Sequence, residues 1–547
     1  MAEFNLALVH DTVSAAVPDR TALIRGHRSW TFKDISERSR RLASYLHRRG
    51  LGAHAERASL AGHESGQDHL GLYLYNGNEY LEGMLGAYRA RVAPFNVNYR
   101  YVEEELRYLL ADARTRGLIY HAAFAPVLAA VLPALEGVEV LIQVADGSGH
   151  DLLAGAVDYE EALASGAPEG PPVDPSPDDL YILYTGGTTG MPKGVLWRQH
   201  DIFLAAMGGR PIGGSEEVAS YPEIAERAAG RPEYRMLVLP PLMHGAAQWA
   251  SFGGWTGGGT VVLARENRRL DPVDVWSTVQ QHSVQVITVV GDAMARPLVE
   301  ELERNDYDVS SLIAIGNGGA ALNPALKQRL VSRLPHLIVS DSVGSSETGA
   351  QMTHASTKDD VSTGTFRPGP GTTVVSEGRE RVLEPGGGEV GWLAQSGNVP
   401  LGYLGDPAKT AETFPVIGGT RYSVPGDRAT LLADGQIELL GRDSVTINSG
   451  GEKIFAEEVE RALSQHPAVA DVVVVGRPSD RWGQEVVALV TVAEGAAATH
   501  EELVEFAARH VARYKLPKAT AFLSDLHRSP AGKADYRWAS EQALRIP

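Results

Sequence analysis

The stretch YTGGTTGMPKG, residues 184–194, places four glycines, three threonines, one proline and one lysine in eleven positions. The apolar residues YIL directly precede it at 181–183, so a strand is predicted to lead directly into a flexible, hydroxyl-rich loop. In such a loop, backbone N–H groups can converge on an anion, threonine hydroxyls donate hydrogen bonds and Lys193 adds a positive charge. The loop is therefore predicted to bind phosphate; a mobile surface turn is the alternative interpretation.

The spacing within this loop excludes two common phosphate-binding motifs. A Walker A loop requires G-x-x-x-x-G-K-[ST], whereas Lys193 follows Met191-Pro192 and precedes Gly194. The glycine spacing of a dinucleotide-binding fingerprint is also missing, and no helix can begin cleanly before Pro192.

Length and composition limit the class of protein. A chain of 547 residues is too long for one ordinary hydrophobic core, so two or more domains are predicted. The 50 basic and 68 acidic residues give a net charge of −18 without a basic stripe, which argues against a nucleic-acid partner. The sequence contains no cysteine, which excludes disulfides, thiolate catalysis and cysteine-bound metal and fits a reducing cytosol. The N-terminal stretch lacks the pattern of a secretory signal and no apolar run is long enough for a transmembrane segment, so a cytoplasmic location is expected.

Strand-like and helical patterns alternate through most of the chain, which predicts a layered α/β domain with a largely parallel sheet. Two polar segments, 166–179 and 213–233, are predicted as loops, the second as a surface excursion or lid. The patterns are strand-like at 69–76, 92–98, 236–244, 260–264, 284–291, 312–320 and 337–344, and helical at 78–90 and 102–113.

The sequence pattern changes near residue 440. A helix at 456–466, two β-rich runs and a further helix, which starts with the capping-box spacing of Thr499 and Glu502, predict a small α+β domain. The predicted domains are residues 1–441 and 442–547.

Six further stretches follow the phosphate loop in a fixed order. With that loop, they resemble the adenylate-forming (ANL) superfamily of acyl- and aryl-CoA synthetases, luciferases and peptide-synthetase adenylation domains. The resemblance extends from about residue 20 to the end of the chain, and it implies a large multi-layer N-terminal α/β domain with a small, mobile α+β C-terminal domain. The stretches are PLMHG (241–245), GNGGAAL (316–322), DSVGSSETG (341–349), YSVPGD (422–427), LLGRDSVTINSGGEKI (439–454) and SPAGK (529–533).

The resemblance implies a reaction in two steps. A carboxylate attacks the α-phosphorus of ATP in the presence of Mg²⁺, pyrophosphate leaves, and an acyl-AMP forms; the thiol of coenzyme A then displaces AMP. By the same resemblance, Glu347 binds Mg²⁺, Ser346 contacts the α-phosphate, and Asp427 accepts from the ribose hydroxyls with Arg442 nearby. The residues that would hold the β- and γ-phosphates are Thr185, Gly186, Gly187, Thr188, Thr189 and Lys193.

The remaining site residues follow from the same motifs. Gly318, Gly319 and Ala320 would pass under the adenine, with Val343 and Gly344 on the neighbouring strand. Gly450 and Gly451 would line the CoA tunnel. Lys533 would bridge the carboxylate and the charge that develops at phosphorus, and His244 would lie beside the acyl site.

Each of these assignments has a structural alternative. Asp427 can be an ordinary turn residue, Lys533 a solvated lysine, and Glu347 a helix cap. A histidine after an apolar run, such as His244, is often a satisfied core residue.

The sequence departs from the family pattern at two places. The strand-end motif commonly has tyrosine where this chain has Val343, so adenine is expected to pack on aliphatic surface instead of an aromatic ring. At the hinge that serves the thioester step, Ser444 and Val445 replace the usual Asp or Lys and a following Asp, and the hinge motion is expected to survive because a serine can still act as a hinge.

The acyl pocket is predicted from the 240s stretch, including Gln248, and from Asp292 and neighbours, with small residues that leave room for a bulky or long acid. The amino-acid sequences of these motifs most resemble those of bacterial fatty-acid and steroid side-chain ligases. Three alternatives stay open: an acyl-AMP ligase that loads a carrier protein, an aryl-acid CoA ligase, and a non-catalytic nucleotide-binding regulator. A homodimer also stays open, since some relatives dimerise.

Overall fold

The computed structural model describes residues 2–185, 191–210, 214, 216–361, 364–442, 445–449, 452–479, 482–511, 513–528 and 533–546. Strands occur throughout this part of the chain. They are β1 Thr21–Arg25, β2 Arg28–Thr31, β3 His69–Tyr73, β4 Ala93–Asn96, β5 Thr115–His121, β6 Val140–Val144, β7 Ala156–Asp158, β8 Leu180–Thr185, β9 Lys193–Arg198, β10 Arg235–Val238, β11 Thr260–Leu263, β12 Val286–Val289, β13 Ala314–Gly318, β14 Ile338–Ser345, β15 Gly349–Ser356, β16 Thr365–Pro368, β17 Thr372–Val375, β18 Val390–Ser396, β19 Gly402–Tyr403, β20 Val416–Ile417, β21 Thr420–Ser423, β22 Asp427–Leu431, β23 Ile437–Arg442, β24 Thr446–Ser449, β25 Glu452–Phe455, β26 Val469–Ser479, β27 Gly483–Val492 and β28 Ala519–Phe522.

Helices alternate with the strands over most of this length. They are α1 Leu6–Ala16, α2 Phe32–Arg48, α3 Asn78–Arg89, α4 Glu103–Asp112, α5 Ala125–Val131, α6 Tyr159–Ser165, α7 Gln199–Ala206, α8 Tyr221–Gly230, α9 Gly245–Thr256, α10 Pro272–His282, α11 Gly291–Arg304, α12 Pro324–Arg333, α13 Pro407–Thr413, α14 Ala456–Leu463, α15 His500–Ala507 and α16 Tyr536–Ala543.

Two sheets form the N-terminal part. In the larger sheet, β1, β11, β10, β12, β13 and β14 are consecutive parallel neighbours, and antiparallel strands continue the sheet from β15 onward. In the second sheet, β8, β4, β3, β5, β6 and β7 are parallel neighbours, and β9 pairs with β8 in the antiparallel direction. The predicted α/β architecture with largely parallel strands is confirmed in these regions.

The parallel strands of the larger sheet place several predicted site segments at one edge. The loop after β10 leads to His244, Gly291 follows β12, Gly318 ends β13, and β14 leads to Glu347. The carboxyl ends of neighbouring parallel strands meet at the same edge, which is where ligands bind in open α/β sheets. The order of the strands therefore brings distant sequence motifs together.

The third sheet belongs to the C-terminal part of the chain and has the order β25-β24-β27-β26, with β28 parallel to β27. Helices α14, α15 and α16 accompany it, as expected for a small α+β domain. The predicted capping box of α15 is present, because Thr499 N donates to Glu502 at 2.8 Å and Glu502 N donates to Thr499 Oγ1 at 3.2 Å. The boundary between residues 441 and 442 stays a prediction.

One predicted loop is wrong over part of its length. Within 213–233, residues Tyr221–Gly230 form helix α8, whose N-cap Ser220 accepts from Glu223 N. Ile224 and Ala228 are buried on one face of this short helix, and a proline in the first turn suits a helix start. The polar composition of the segment led to the loop prediction, although the four-residue spacing of Ile224 and Ala228 is typical of one helix face.

Two carboxyl groups on α14 lie one turn apart where the helix faces the rest of the protein. Glu460 accepts hydrogen bonds from Val474 N at 2.8 Å and from Tyr536 Oη at 3.1 Å, while Glu457 accepts from Arg442 N at 3.2 Å. Burial raises the pKa of both carboxyls, and the charge of Glu457 raises that of Glu460 further. The folded protein therefore favours the protonated form of this pair.

Replacing Glu460 with glutamine should remove a pH-dependent loss of stability. As pH rises above about 4.3, the ordinary pKa of a glutamate, an unfolded chain ionises Glu460 while the folded chain retains its proton, so the free energy of unfolding falls until the raised folded pKa is passed. We expect Glu460→Gln to unfold like wild type near pH 4.5 and at higher denaturant concentration at pH 8. Denaturant titrations across this range test it, and identical pH dependence in both proteins would contradict it.

Candidate active site

The phosphate loop connects two antiparallel strands, β8 and β9, near one edge of the second sheet. Thr185 ends β8 and pairs directly with Lys193, the first residue of β9. The Lys193 ammonium forms an ion pair with Asp406, the residue that also caps α13 by accepting from Lys409 N at 2.9 Å. This ion pair lowers the pKa of the Asp406 carboxyl. Gly186, Gly187, Thr188 and Thr189 lie outside the described residues.

Glu347 lies at the tip of a β-hairpin. The turn at residues 346–348 joins β14 to β15, and Gly349 closes it with a φ of +69°, the left-handed conformation that such three-residue loops use. Gly344 is required nearby, since a Cβ there would lie 2.2 Å from Gly349 O. Helix capping by Glu347, the structural alternative, is therefore wrong. Ser346 lies in the same turn, and its carbonyl accepts from Trp197 Nε1 at 2.9 Å.

Tyr403 connects the glutamate to the phosphate loop. Its hydroxyl donates to Glu347 Oε1 at 2.9 Å, and its ring centroid lies 6.0 Å from Lys193 Nζ. Burial and the Glu347 charge both raise the pKa of the Tyr403 hydroxyl, which keeps it a hydrogen-bond donor. The sequence analysis did not select Tyr403 or Asp406, which lie together in the stretch GYLGDP at 402–407.

The predicted adenine segment, Gly318 to Ala320, is fixed by a buried asparagine. Asn317 Oδ1 accepts from Gly291 N at 2.7 Å, while its Nδ2 donates to Ala320 O at 3.0 Å and to Asp341 Oδ1 at 2.9 Å. Gly319 has a φ of +80°, which only glycine adopts readily. The turn after β13 is therefore held in place from both sides.

Asp341 belongs to a buried ion pair that sequence analysis missed. Its second oxygen pairs with Lys327 of α12, a lysine with no exposed surface. Charges are buried in this way only when paired and hydrogen-bonded. Asp341 precedes Val343 and Gly344, so the pair also supports the strand predicted to face the adenine.

Asp427 and Arg442 face each other across adjacent antiparallel strands. They are directly paired in the ladder between β22 and β23, and Arg442 Nε donates to Asp427 Oδ1 at 3.2 Å. The Asp427 charge is the largest influence that raises the pKa of the Arg442 guanidinium. Asp427 therefore begins a strand and meets a cation, rather than lying in an isolated turn.

Lys533 of the C-terminal domain lies close enough to four predicted site residues to interact with them electrostatically. Burial and the positive charge of Arg442 lower the pKa of its ammonium group, while Glu347 and Asp427 oppose that shift. Burial lowers the pKa of His244 to about 4, and the Lys533 charge adds to this. The structure thus brings His244, Glu347, Asp427, Arg442 and Lys533 into one region where the N-terminal and C-terminal parts of the chain meet, and this region is called the cleft below. In this cleft, the His244 imidazole is neutral at pH 7.

Two residues predicted to line the acyl pocket have hydrogen-bond partners within the protein. Gln248 is buried in the core, where its amide donates to Leu242 O at 2.7 Å and accepts from Tyr181 Oη at 2.7 Å. Asp292 accepts from Asn323 N at 2.8 Å and pairs with Arg296 at 3.5 Å. Their polar groups are therefore already used within the protein.

The same region contacts the C-terminal domain. Asn323 Nδ2 donates to Ser464 O, at the C-terminal end of α14, at 3.1 Å, and the Arg296 guanidinium donates to Ala470 O. These bonds help to hold the C-terminal domain in the orientation that places Lys533 in the cleft. Of the residues predicted to form the hinge, Val445 belongs to the described part of the chain and Ser444 does not. Gly450 and Gly451, predicted to line the CoA tunnel, also lie outside the described residues.

A hairpin of the phosphate-binding type, a glycine turn after a parallel strand and cations from both parts of the chain are typical of a nucleotide-dependent transferase or ligase. Residues 11–404 match the family described as AMP-binding enzyme, and residues 458–533 match the AMP-binding enzyme C-terminal domain. The chain therefore belongs to the AMP-binding enzyme family.

Two relatives align over nearly the whole chain. The chain is 61% identical to the medium-chain acyl-CoA ligase Mig of Mycobacterium avium, with 99% of this chain and 98% of that protein covered. It is 41% identical to the 3-oxocholest-4-en-26-oate–CoA ligase of Rhodococcus rhodochrous, with 98% and 96% covered. Among solved structures, the anthranilate CoA ligase AuaEII in complex with anthranoyl-AMP has a TM-score of 0.82 at 20% identity and covers 100% of this chain and 98% of its own, which shows a shared fold.

These comparisons confirm the family, fold class and enzyme class predicted from the sequence. The chain is an ATP-dependent acid–thiol ligase of the acyl-CoA synthetase class. Among the residues described, no helix is long and apolar enough to cross a bilayer. The roles of the individual site residues stay predictions.

Replacing Tyr403 with phenylalanine should lower the apparent affinity for Mg²⁺. The substitution removes the hydrogen bond to Glu347 Oε1 but retains the ring near Lys193, so the carboxylate predicted to bind the metal loses its orientation. A hydrogen bond to a charged group contributes about 1.5–3 kcal/mol, so we expect the Mg²⁺ concentration for half-maximal activity to rise roughly tenfold.

Tyr234→Phe is the matched control. Its hydroxyl also makes one hydrogen bond, to Gly254 O at 3.0 Å, but it lies before β10, at the opposite end of that strand from the cleft. Titration of Mg²⁺ with both variants tests the assignment. An unchanged requirement in Tyr403→Phe would show that the bond does not position a metal ligand.

Proposed function

We propose that the chain activates a medium-chain or longer alkyl carboxylic acid with MgATP and transfers the acyl group to CoA. The observation that supports this most strongly is the convergence of Lys533, Glu347, Asp427 and Arg442 in one cleft, in a chain that is 61% identical to a medium-chain acyl-CoA ligase. The cytoplasm is the proposed location because a chain without cysteines suits a reducing compartment.

In the first step, a carboxylate oxygen of the acid bonds to the α-phosphorus and the bond to pyrophosphate breaks. Lys193 and Thr185 are proposed to contact the departing phosphates, and Asp427 to fix the ribose. Lys533 is proposed to neutralise charge between the acid and the α-phosphate, since a positioned cation stabilises the charge that develops there. Before ATP binds, Asp406 occupies the Lys193 ammonium, so phosphate must compete with this carboxylate.

The residues fit a magnesium ion that is held chiefly by phosphate oxygens. In the described part of the chain, no group of three or more His, Cys, Asp or Glu side chains could form a metal site. Glu347 supplies one carboxylate, and Mg²⁺ typically takes one or two carboxylates together with phosphates and water. When bound, the ion would neutralise charge on the phosphates, while Tyr403 orients the Glu347 carboxylate.

In the second step, the CoA sulfur bonds to the acyl carbon and the bond to AMP breaks. Gly450 and Gly451 are proposed to line the thiol's path, and Val445 and Ser444 to form the hinge. His244 is proposed to border the acyl group as a neutral imidazole, which suits an apolar substrate better than an imidazolium.

The substrate class is proposed from the relatives' names. The identity of 61% to a medium-chain ligase against 41% to a steroid-acid ligase favours an unbranched alkyl acid over a steroid side chain. A carrier-protein acceptor and an aryl acid are outcomes of the test, as is a regulator that binds nucleotide without reaction.

Pyrophosphate release and acyl-CoA formation should be measured for one panel of acids. The panel contains octanoate, palmitate, 3-oxocholest-4-en-26-oate and benzoate, each with CoA and with a phosphopantetheinylated carrier protein. We expect the highest kcat/KM with octanoate and CoA, since an alkyl pocket gains roughly 0.8 kcal/mol per buried methylene until it is filled. Preference for the steroid acid or benzoate would change the substrate class, carrier loading without CoA turnover would change the acceptor, and no release with any acid would overturn the proposal.

A further inference from the structure

Asn96 is a buried polar residue that the sequence analysis left without a role. It ends strand β4 and is only 6% exposed, next to β8, the strand that leads into the phosphate loop. Burying a carboxamide costs free energy unless its donors and acceptor find partners. The partners of Asn96 therefore indicate why an amide occupies this position.

The first partner is the backbone of Tyr184, directly before Thr185. Tyr184 N donates to Asn96 Oδ1 at 2.7 Å, and Asn96 Nδ2 donates to Tyr184 O at 2.9 Å. The ladder between β4 and β8 pairs Phe95 with Ile182, and β4 ends at the next residue. The side chain of Asn96 thus replaces backbone pairing where β8 enters the phosphate loop.

The second partner is the loop that ends at His244. Asn96 Nδ2 uses its other hydrogen to donate to Met243 O at 2.7 Å. This loop follows β10, and a second side-chain amide also bonds its backbone: Asn76 bonds Pro240 O and Leu242 N at 3.1 and 2.7 Å. Both hydrogens and the oxygen of the Asn96 carboxamide are therefore used, on two different segments of the site.

We propose that Asn96 is a positioning residue that fixes the start of the phosphate loop and the His244 loop relative to each other. One planar group joins the two segments, so a displacement of either is transmitted to the other. The inference rests on the proposed function for the identity of the two ligands, ATP phosphate and acyl group. It goes beyond that function because it couples the geometry of the two subsites through a residue that touches neither ligand.

The competing account is that Asn96 only satisfies buried backbone groups. Both accounts predict a loss of stability on substitution, since each removed donor leaves a buried carbonyl without a partner. They differ in ligand binding: a positioning residue changes the affinity for ATP and for the acid together, whereas a residue of the core changes the melting temperature alone.

Asn96→Asp is the most direct variant. It has nearly the same shape and retains the oxygen that accepts from Tyr184 N, but it loses both donors, to Tyr184 O and to Met243 O. We expect the Kd for MgATP, measured by calorimetry without acid, and the KM for octanoate each to rise about tenfold, because each segment loses a buried hydrogen bond.

Asn5→Asp is the matched control. Asn5 is also fully buried and donates through Nδ2 to Ser176 O and to Gln199 Oε1 at 2.9 and 2.8 Å, while its oxygen accepts from Ala7 N at 2.9 Å. The substitution therefore removes the same kind of donors, at the start of α1. We expect a similar fall in melting temperature, with the Kd for MgATP and the KM for octanoate within about twofold of wild type, since its bonds involve neither site segment.

Two results would overturn the proposal: a Kd and a KM unchanged in Asn96→Asp, or a change in only one of them. If Asn96→Asp does not fold, Asn96→Ser is measured in its place, because its shorter side chain cannot bond both Tyr184 and Met243. The same changes in the Kd for MgATP and the KM for octanoate are expected. The calorimetric arm uses no acid. Should wild type fail to turn over any acid, a proportionate loss of MgATP and acyl-AMP-analogue binding would still support the positioning role.

Discussion

Every irregular segment that borders the cleft needs hydrogen-bond partners for backbone groups that no helix or sheet supplies. In this protein, buried side-chain amides provide them. Asn317 joins Gly291 N to Ala320 O in the turn predicted to pass under the adenine, and Asn96 joins Tyr184 to Met243. Gln248 and Asn76 bond the carbonyl and the N–H of Leu242, in the loop before His244. The cleft therefore has a defined shape before any ligand enters.

The charges in the cleft depend on this fixed backbone. Adjacent strands hold Asp427 against Arg442, a hairpin presents Glu347 to Tyr403, and an ion pair holds Lys193 at the start of β9. Lys533 comes from the other domain, and its lowered pKa reflects both burial and the neighbouring Arg442. With a net charge of −18, the chain attracts a polyanion only through such a local group of cations.

The sequence predicted those features that depend on local patterns. The strand before the phosphate loop, the parallel order inferred from alternating elements and the Thr499 capping box all follow from neighbouring residues, and the structure contains them. The motif order identified the family, which the comparisons confirm. Helix α8 was missed because its apolar face has only two residues in a polar segment.

The residues that sequence analysis did not find act over long separations. Tyr403 meets Glu347 across 56 positions and Asn96 meets Met243 across 147, and no local spacing encodes such contacts. Gln248 was predicted to line the acyl pocket because it follows a motif; its contact with Tyr181, 67 positions away, is of the same long-range kind. The hairpin at Glu347 was ambiguous in sequence because Ser-Ser-Glu suits both a helix start and a turn.

The central claim is that Lys533 completes a site otherwise built by the N-terminal domain. The most direct measurement is the exchange of labelled pyrophosphate into ATP, driven by octanoate, in wild type, in Lys533→Ala and in Lys518→Ala, an exposed lysine of the same domain. The account predicts loss of exchange in Lys533→Ala of at least about a hundredfold, the order of effect of one electrostatic group at a reacting centre, and wild-type exchange in Lys518→Ala. Exchange at the wild-type rate in Lys533→Ala would contradict it.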